Sequence, residues 1–273
     1  MRRIDCPPHQ WCVREEGSGP ALLLLHGAGG SSHSWQNLVP YLTPRFRIIA
    51  PDLPGQGFTT AGRRRFSLDA MVEDLARLCA DQGWAPVAII GHSAGAAIAL
   101  RLAQALPIPP KAVVGLNAAL GNFEGTAGWL FPLIAKMLSL NPFVPSLAAR
   151  LFGVGDRVRT LIGSTGSDLD DEGLRRYQTL ISDPVHVDGT LSMMAQWRLD
   201  DLQRQLPSIE TPTLLIAGAN DGTVPDRVSR AGAARLPHGD YVELPRLGHL
   251  AHEEDAAAVA AVLLPWLERK LAG

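Results

Sequence analysis

A serine with glycines two residues away on either side marks residues 91–95, which read GHSAG. The pattern follows an apolar run and precedes an alanine-rich helical pattern, the strand–turn–helix context of a nucleophile elbow. A Cβ atom at Gly91 or Gly95 would collide with the neighbouring strand and helix, which explains why both residues are small. The stretch therefore predicts that Ser93 is a nucleophile. An ordinary serine at a helix N-terminus is the alternative.

Two later residues are suited to activating this serine. Asp221 follows the apolar run TLLIAG, and His249 follows the stretch GDYVELPR. A serine hydroxyl is a poor nucleophile at neutral pH and needs a histidine base that is oriented by an acid. The order Ser, Asp, His, with each residue past the end of a strand, predicts a catalytic triad of Ser93, Asp221 and His249.

Three neighbouring residues compete for the roles of acid and base. His252 falls on the first helical turn after Leu250, where it faces solvent or packs beneath the site, and Asp226 is typical of a first-turn helix acid. Asn117 ends the strand before residue 119, but an amide cannot serve as the acid. The run HLAHEE lacks the H-E-x-x-H pattern and a third ligand, so no metal site is predicted.

An oxyanion formed at Ser93 needs two hydrogen-bond donors that are already in place. The N–H of Ala94, directly after the serine, is the first predicted donor. The N–H of Ala28, in the loop HGAGGSS, is the second. The glycines of this loop let its backbone approach a ligand closely, and His26 is expected to brace the loop by hydrogen bonds.

Short apolar runs alternate with amphipathic stretches along the chain. The apolar runs predict strands at 21–26, 46–52, 86–93, 112–118, 212–221 and 239–246. The amphipathic stretches predict helices at about 33–42, 68–82, 94–105, 226–235 and 253–270. This alternation predicts an α/β fold with a mostly parallel, doubly wound sheet and right-handed crossovers.

Residues 119–203 interrupt the alternation with a strongly apolar, mostly helical stretch. The stretch leaves from the C-terminal end of a strand, where open α/β sheets bind ligands. It predicts a helical cap inserted into an α/β core of residues 1–118 and 204–273, although a helical layer of the core would read similarly. Aromatic and methionine side chains suit a broad apolar ligand, and the candidate substrate-binding residues are Trp129, Phe131, Met194 and Trp197. The same side chains would also serve to hold the cap to the core.

Composition and charge exclude several classes of function. The net charge is −2 and basic residues are not clustered, which argues against nucleic-acid binding. The cysteines, Cys6, Cys12 and Cys79, form no C-x-x-C pair, which indicates reduced thiols and a cytoplasmic protein. The apolar run at 21–25 is too short to cross a bilayer, so neither a signal peptide nor a transmembrane segment is predicted.

Together these motifs resemble the α/β-hydrolase superfamily over nearly the whole chain. The resemblance is carried by LLLLHGAGGSSHSW, IIAPDLPGQGFT, GHSAGAAIALRLA, LLIAGANDGTVP and LGHLAHEE. Gln56 stands where the superfamily usually has histidine, at a structural position. The resemblance implies the α/β-hydrolase fold and a serine-hydrolase triad, which requires no cofactor.

The predicted cap resembles a narrower family, the BchO-type magnesium-chelatase accessory proteins of bacteriochlorophyll biosynthesis. The stretches concerned are LNAALGNFEGTAGWLFPLIAKML, LIGSTGSDLDDEGLRRYQTLI and DPVHVDGTLSMMAQWRLDDL. This resemblance implies a role near magnesium insertion into protoporphyrin in phototrophic bacteria, with a porphyrin as ligand and magnesium chelatase as partner. It does not identify a reaction.

Three hypotheses follow from these residues and resemblances. The first is a serine hydrolase that cleaves an ester-like bond in a hydrophobic small molecule. The second is a porphyrin-binding accessory module on a hydrolase fold that no longer uses its triad. The third is another triad reaction, such as C–C bond hydrolysis. Dehalogenation and epoxide hydrolysis are disfavoured because they use an aspartate where this chain has Ser93.

Overall fold

One mixed sheet organises the part of the chain that the structure, a computed structural model, describes: residues 1–62, 65–121, 146 and 157–272. Its strands are β1 (Arg2–Cys6), β2 (His9–Glu16), β3 (Ala21–Leu25), β4 (Arg47–Pro51), β5 (Ala88–His92), β6 (Ala112–Leu116), β7 (Thr213–Gly218) and β8 (Gly239–Leu244). They lie in the order β1-β2-β4-β3-β5-β6-β7-β8. From β4 to β8 every neighbouring pair is parallel, whereas β2 pairs antiparallel with both β1 and β4. The predicted α/β fold with a mostly parallel sheet is confirmed.

Helices cover both faces of this sheet. Those described are α1 (Val39–Leu42), α2 (Leu68–Asp81), α3 (Ala94–Ala105), α4 (Arg157–Gly163), α5 (Asp171–Ile181), α6 (Pro184–Gln196), α7 (Asp200–Gln205), α8 (Asp226–Arg235), α9 (Ala251–Glu254) and α10 (Ala256–Leu271). Successive side chains of a strand point to opposite faces, and the strand β3 shows the result. Leu23 and Leu25 pack in the cluster that contains α2 and α3, whereas Leu22 and Leu24 pack in the cluster that contains α1 and α10. Burial on both faces explains why the central strands are apolar throughout.

The strands β1 and β2 are missing from the sequence prediction. Their signal is an alternation, because Ile4 and Cys6 of β1 are buried while the residues between and before them are exposed. In β2, Trp11 and Val13 are buried. The strand β1 lies at the edge of the sheet, where one covered face is enough, so it lacks the continuous apolar run that identified the central strands.

The helices α4 to α7 lie in the chain between β6 and β7, within or next to the segment predicted as a cap. They begin after the C-terminal end of a parallel strand, at the edge of the sheet to which β5 and β7 also direct their C-terminal ends. The division of the chain into core and cap stays a prediction. None of the helices in the described part of the chain has the length and apolar character needed to cross a membrane.

Candidate active site

Ser93 occupies a strained turn between β5 and α3. Its backbone has φ 51° and ψ −117°, a conformation that a residue with a side chain rarely adopts. The N–H of Ser93 donates to the carbonyl oxygen of Leu116, at the end of β6, over 2.9 Å. Such strain persists only where the surroundings hold it, and it concentrates at functional sites. The turn places Ser93 at the N-terminus of α3, where backbone N–H groups favour negative charge.

The glycines around Ser93 are required by close backbone packing. A Cβ atom on Gly95 would lie 2.1 Å from the carbonyl oxygen of Leu25 in β3. A Cβ atom on Gly91 would lie 2.2 Å from the carbonyl oxygen of Gly95, and one on Gly27 would lie 3.0 Å from Cβ of Ser93. The collisions at Gly91 and Gly95 match the steric expectation. The short distance at Gly27 shows that the loop after β3 packs directly against Ser93.

Asp221 and His249 form a hydrogen-bonded pair past the ends of β7 and β8. Nδ1 of His249 lies 2.7 Å from Oδ2 of Asp221, and the aspartate side chain is completely buried. The carboxylate only accepts, so Nδ1 carries the hydrogen and Nε2 is left to accept a proton. The N–H groups of Thr223 and Val224 each donate to Oδ1 of Asp221 over 2.8 Å. Asp221 is thus held by its own turn and points its second oxygen at His249.

Asn117 belongs to the same hydrogen-bonded cluster as Asp221 and His249. Its Nδ2 donates to Oδ2 of Asp221 over 2.8 Å and to the carbonyl oxygen of Gly248 over 3.1 Å. The backbone of Asn117 has φ 47°, a left-handed conformation that asparagine tolerates better than most residues. Asn117 therefore joins the loop of the acid to the loop of the histidine. Sequence reasoning considered this residue only as a failed acid and missed its role as a donor.

Two further histidines stack beneath His249. Nε2 of His92 donates to the carbonyl oxygen of His249 over 2.9 Å, and the two rings are 4.8 Å apart. His252 is completely buried and lies between His92 and Trp35, with ring distances of 4.6 and 4.7 Å. Burial lowers the pKa of His92 well below its ordinary value and that of His252 to about 3. Both rings stay neutral near pH 7, and His252 packs beneath the site.

A turn after α4, residues 164–167, packs against the loops that carry Asp221 and His249. The carbonyl oxygen of Thr165 accepts from Gly222 N–H over 2.9 Å and from His249 N–H over 3.2 Å. Oγ of Ser167 accepts from the N–H of Leu250 over 2.8 Å. Gly166, which lies between Thr165 and Ser167, has φ +79°, a left-handed backbone conformation that favours glycine. One carbonyl oxygen thus accepts hydrogen bonds from both loops, the one that carries Asp221 and the one that carries His249. No local pattern in the sequence predicts this contact.

The loop after β3 is braced from two sides. Nδ1 of His26 donates to the carbonyl oxygen of Gly27 over 2.7 Å, since its Nε2 accepts from Leu53 N–H over 2.8 Å. On the other side, Gly29 N–H donates to Oε1 of Gln56 over 2.7 Å. Nε2 of Gln56 in turn donates to the sulfur of Met193 in α6 over 3.0 Å. Gln56 therefore links the loop to a helix that follows β6.

His186, in α6, is a further brace that sequence reasoning missed. Its Nδ1 accepts from Gly57 N–H over 2.9 Å, so its Nε2 carries the hydrogen and donates to the carbonyl oxygen of Gly29 over 3.2 Å. Burial lowers the pKa of His186 to about 4. The ring is neutral near pH 7, and both nitrogens are used to position backbone.

A buried acid connects α5 to α9 beside the site. The hydroxyl of Tyr177 donates to Oε1 of Glu253 over 2.6 Å. Burial raises the pKa of Glu253 to about 8, against the opposing effect of the tyrosine hydrogen bond. The carboxyl group is therefore largely protonated near pH 7. Tyr177 also borders the cavity described next.

A cavity of about 630 Å³ opens above Ser93 and His249. Among the described residues, its wall is mainly apolar and comes largely from α4 to α6 and the segment after α6. Met194 and Trp197 border it, and so do Ala28 and Ala94, beside the serine. Trp129 and Phe131, the other two candidate substrate-binding residues, lie outside the described residues. Within the described part of the chain, no three metal-binding side chains converge as a metal site requires.

Comparison with known proteins places this geometry in a family. The sequence profile of the alpha/beta hydrolase fold matches residues 20–256. The chain belongs to the α/β-hydrolase family. It resembles in structure an alpha/beta hydrolase fold protein from Burkholderia ambifaria, with a TM-score of 0.83 and 24% identity over 97% of each chain.

Two curated relatives are similar to this α/β hydrolase over most of its length. The magnesium-chelatase 30 kDa subunit of Rhodobacter capsulatus is 46% identical over 98% of this chain and 93% of that protein. A pimeloyl-[acyl-carrier protein] methyl ester esterase of Xanthomonas campestris is 29% identical over 88% of this chain and 93% of that protein. The resemblances to α/β hydrolases and to the magnesium-chelatase accessory proteins are both confirmed.

Proposed function

We propose that this α/β hydrolase cleaves an ester-like bond in a hydrophobic small molecule, with Ser93, His249 and Asp221 as its catalytic triad. The observation that carries the proposal is the buried Asp221–His249 pair, with its 2.7 Å hydrogen bond, facing the same apolar cavity as a strained serine. A serine that served only to begin a helix would need neither the strain nor the pair.

The proposed reaction runs in two halves. Oγ of Ser93 attacks the ester carbonyl carbon while Nε2 of His249 takes the hydroxyl proton, and the N–H groups of Ala28 and Ala94 hold the oxyanion. The tetrahedral intermediate collapses, and His249 gives the proton to the departing alcohol. Water then attacks the acyl-serine by the same route and releases the acid. Asp221 keeps Nδ1 of His249 protonated and stabilises the imidazolium.

We further propose that the reaction belongs to the magnesium-chelatase step of bacteriochlorophyll biosynthesis, in the cytoplasm of a phototrophic bacterium. The support is the 46% identity to a protein named as a magnesium-chelatase subunit. On this proposal the hydrophobic molecule is a porphyrin or its precursor, the segment 119–203 caps it, and magnesium chelatase is the partner. The mainly apolar wall of the cavity suits such a ligand.

A second candidate is a porphyrin-binding accessory module that does not use the triad. The specific observation in its favour is again the relative, which is named for a chelatase subunit and not for a hydrolytic reaction. On this view, the cavity shelters or delivers the porphyrin, and the triad geometry is inherited.

Labelling with a fluorophosphonate probe tests the first candidate. The folded wild-type protein should be modified at Ser93, and Ser93→Ala should not react. Asp221→Asn should react about 10⁴-fold more slowly, because the histidine then takes the wrong tautomer. Ser34→Ala is the matched control, since Ser34 borders the same cavity and should leave labelling unchanged. A folded wild-type protein that resists the probe would contradict the hydrolase proposal.

Complementation separates the two candidates in the cell. A strain deleted for the endogenous gene and supplied with Ser93→Ala should remain deficient in pigment if the triad is used. Full restoration of bacteriochlorophyll by Ser93→Ala would instead identify the binding module. Equal levels of wild-type and variant protein, checked by immunoblot, are the control.

A further inference from the structure

Most polar side chains that border the cavity already have partners within the protein. The hydroxyl of Thr190 donates to the carbonyl oxygen of His186 over 2.9 Å, and that of Thr165 donates to Ile162 over 2.6 Å. The hydroxyl of Tyr177 is committed to Glu253, and both ring nitrogens of His186 are bonded to backbone. These groups shape the wall without being available to a ligand.

Arg198 differs from them, because its guanidinium group has neither a hydrogen bond nor an ion pair with the residues that the structure describes. It borders the cavity and lies in the segment 197–199, which joins α6 to α7. This segment is anchored: Trp197 N–H donates to Met194 O over 3.4 Å, and Leu199 is buried and accepts from Gln203 N–H over 2.8 Å. The backbone thus presents a free cation at a defined position.

The other charged residue of the wall is Asp200, which borders the same cavity. Unlike Arg198, Asp200 takes part in a polar interaction of its own. Apart from the histidines, the described wall therefore offers one uncommitted charge, and that charge is positive. An anionic group that enters an apolar cavity needs such a partner, because it loses its water there.

We propose that Arg198 binds a carboxylate of the substrate, so that the substrates are apolar esters that carry a second, free carboxylate. This inference rests on the proposed hydrolase function and names the substrate class of the same cavity. The planar guanidinium fork matches the two oxygens of a carboxylate. A single free cation balances one negative charge, which favours a carboxylate over a doubly charged phosphate.

A pair of chromogenic esters of equal chain length tests the proposal. The probes are p-nitrophenyl nonanoate, which is neutral, and the mono-p-nitrophenyl ester of nonanedioic acid, which ends in a carboxylate. The measured quantity is the ratio of kcat/KM for the acidic ester to kcat/KM for the neutral one. Because it compares two substrates of one protein, this ratio is independent of the fraction of folded enzyme.

Arg198→Ala should lower the ratio by about threefold, the effect of an ion pair at a solvent-exposed position such as that of Arg198. Arg198→Lys should restore part of it, since lysine keeps the charge and loses the fork. Arg175→Ala is the matched control, because Arg175 is an exposed arginine on α5 that does not border the cavity. It should leave the ratio at the wild-type value.

A ratio in Arg198→Ala equal to that of the wild type would overturn the inference, and so would an equal decrease in Arg175→Ala. Failure of the hydrolase proposal has a different signature, namely a wild-type protein that hydrolyses neither ester. In that case calorimetry with the monoamide of nonanedioic acid decides the role of Arg198. Weaker binding to Arg198→Ala than to the wild type would support it, and equal affinity would overturn it.

Discussion

The turn at residues 164–167 gives the sharpest test of how the proposed triad is held, through the substitution Gly166→Ala. A Cβ atom at this position would lie 1.9 Å from the carbonyl oxygen of Asn220, whereas ordinary contact begins near 3.4 Å. The turn would have to withdraw by roughly 1.5 Å. The hydrogen bonds that Thr165 O accepts from Gly222 N–H and His249 N–H, now 2.9 and 3.2 Å long, would then exceed normal length.

The expected cost has two sources. Alanine in the left-handed conformation of Gly166, φ +79°, costs about 1–2 kcal/mol. Each of the two lost backbone hydrogen bonds costs about 1 kcal/mol. We therefore expect the free energy of unfolding to fall by about 3–4 kcal/mol. Because the loops of Asp221 and His249 lose their shared acceptor, we also expect labelling of Ser93 to slow by about 10²-fold, as misplacement by about 1 Å can cause.

Urea denaturation measures the stability, and the rate of fluorophosphonate labelling in the folded protein measures the geometry of the proposed triad. Gly163→Ala is a matched control three residues away, where an added Cβ meets no atom within 4 Å. Gly163 is the last residue of α4, so alanine there should change stability by no more than about 0.5 kcal/mol and leave labelling unchanged. Labelling of Gly166→Ala at the wild-type rate would refute the idea that the turn positions the acid and the base.

Three further predictions concern buried groups around the site. Glu253 has a pKa of about 8 in the folded protein against 4.5 in the unfolded chain, so its contribution to stability is complete below pH 4.5 and is lost as pH rises to 8. Relative to Glu253→Gln, the wild type should therefore lose about 1.4 kcal/mol of unfolding free energy per pH unit in this window, measured by urea titrations at several pH values. The pH dependence of stability caused by His186 has the opposite sign, because burial lowers the pKa of this histidine to about 4. His186 therefore destabilises the folded protein as pH falls from 6.5 to 4. His186→Leu should weaken this acid sensitivity while it costs about 1–3 kcal/mol at pH 7 for the backbone groups left unpaired, and an unchanged pH profile in the same titrations would contradict the assignment. Asn117→Gly removes the donor to Asp221 without straining the φ of 47°, and it should slow labelling by about tenfold; an unaltered rate would exclude a positioning role for the amide.

The central strands and the flanking helices could be predicted because their signals are local. The strand β7 is buried at every residue and is apolar after Thr213, so it has to be covered on both faces, and this requirement is visible in a single run of letters. The strand β1 was missed because it is covered on one face only, so that its signal is a short alternation. The helix starts of α2 and α10 are also local, since Ser67 and Asp255 accept from N–H groups three residues on.

The site divides in the same way between what neighbours in sequence encode and what distant segments build. The elbow at Ser93 could be inferred from five residues, because steric limits on a tight turn act between chain neighbours and permit only glycine at 91 and 95. The placement of Ser93, Asp221 and His249 at one edge of the sheet could also be inferred. Each residue follows a strand, and parallel strands bring their C-terminal ends to the same edge.

Only the tertiary structure decided how these residues are held. Asn117 meets Asp221 across 104 positions of sequence, and His186 meets Gly57 across 129. Arg198 becomes notable only when most other polar side chains of the cavity wall are found to be bonded elsewhere. Periodicity and spacing report which face of an element is buried. They do not report which polar groups of distant segments meet, because a hydrogen bond depends on positions fixed to within fractions of an ångström by the packing of the whole fold.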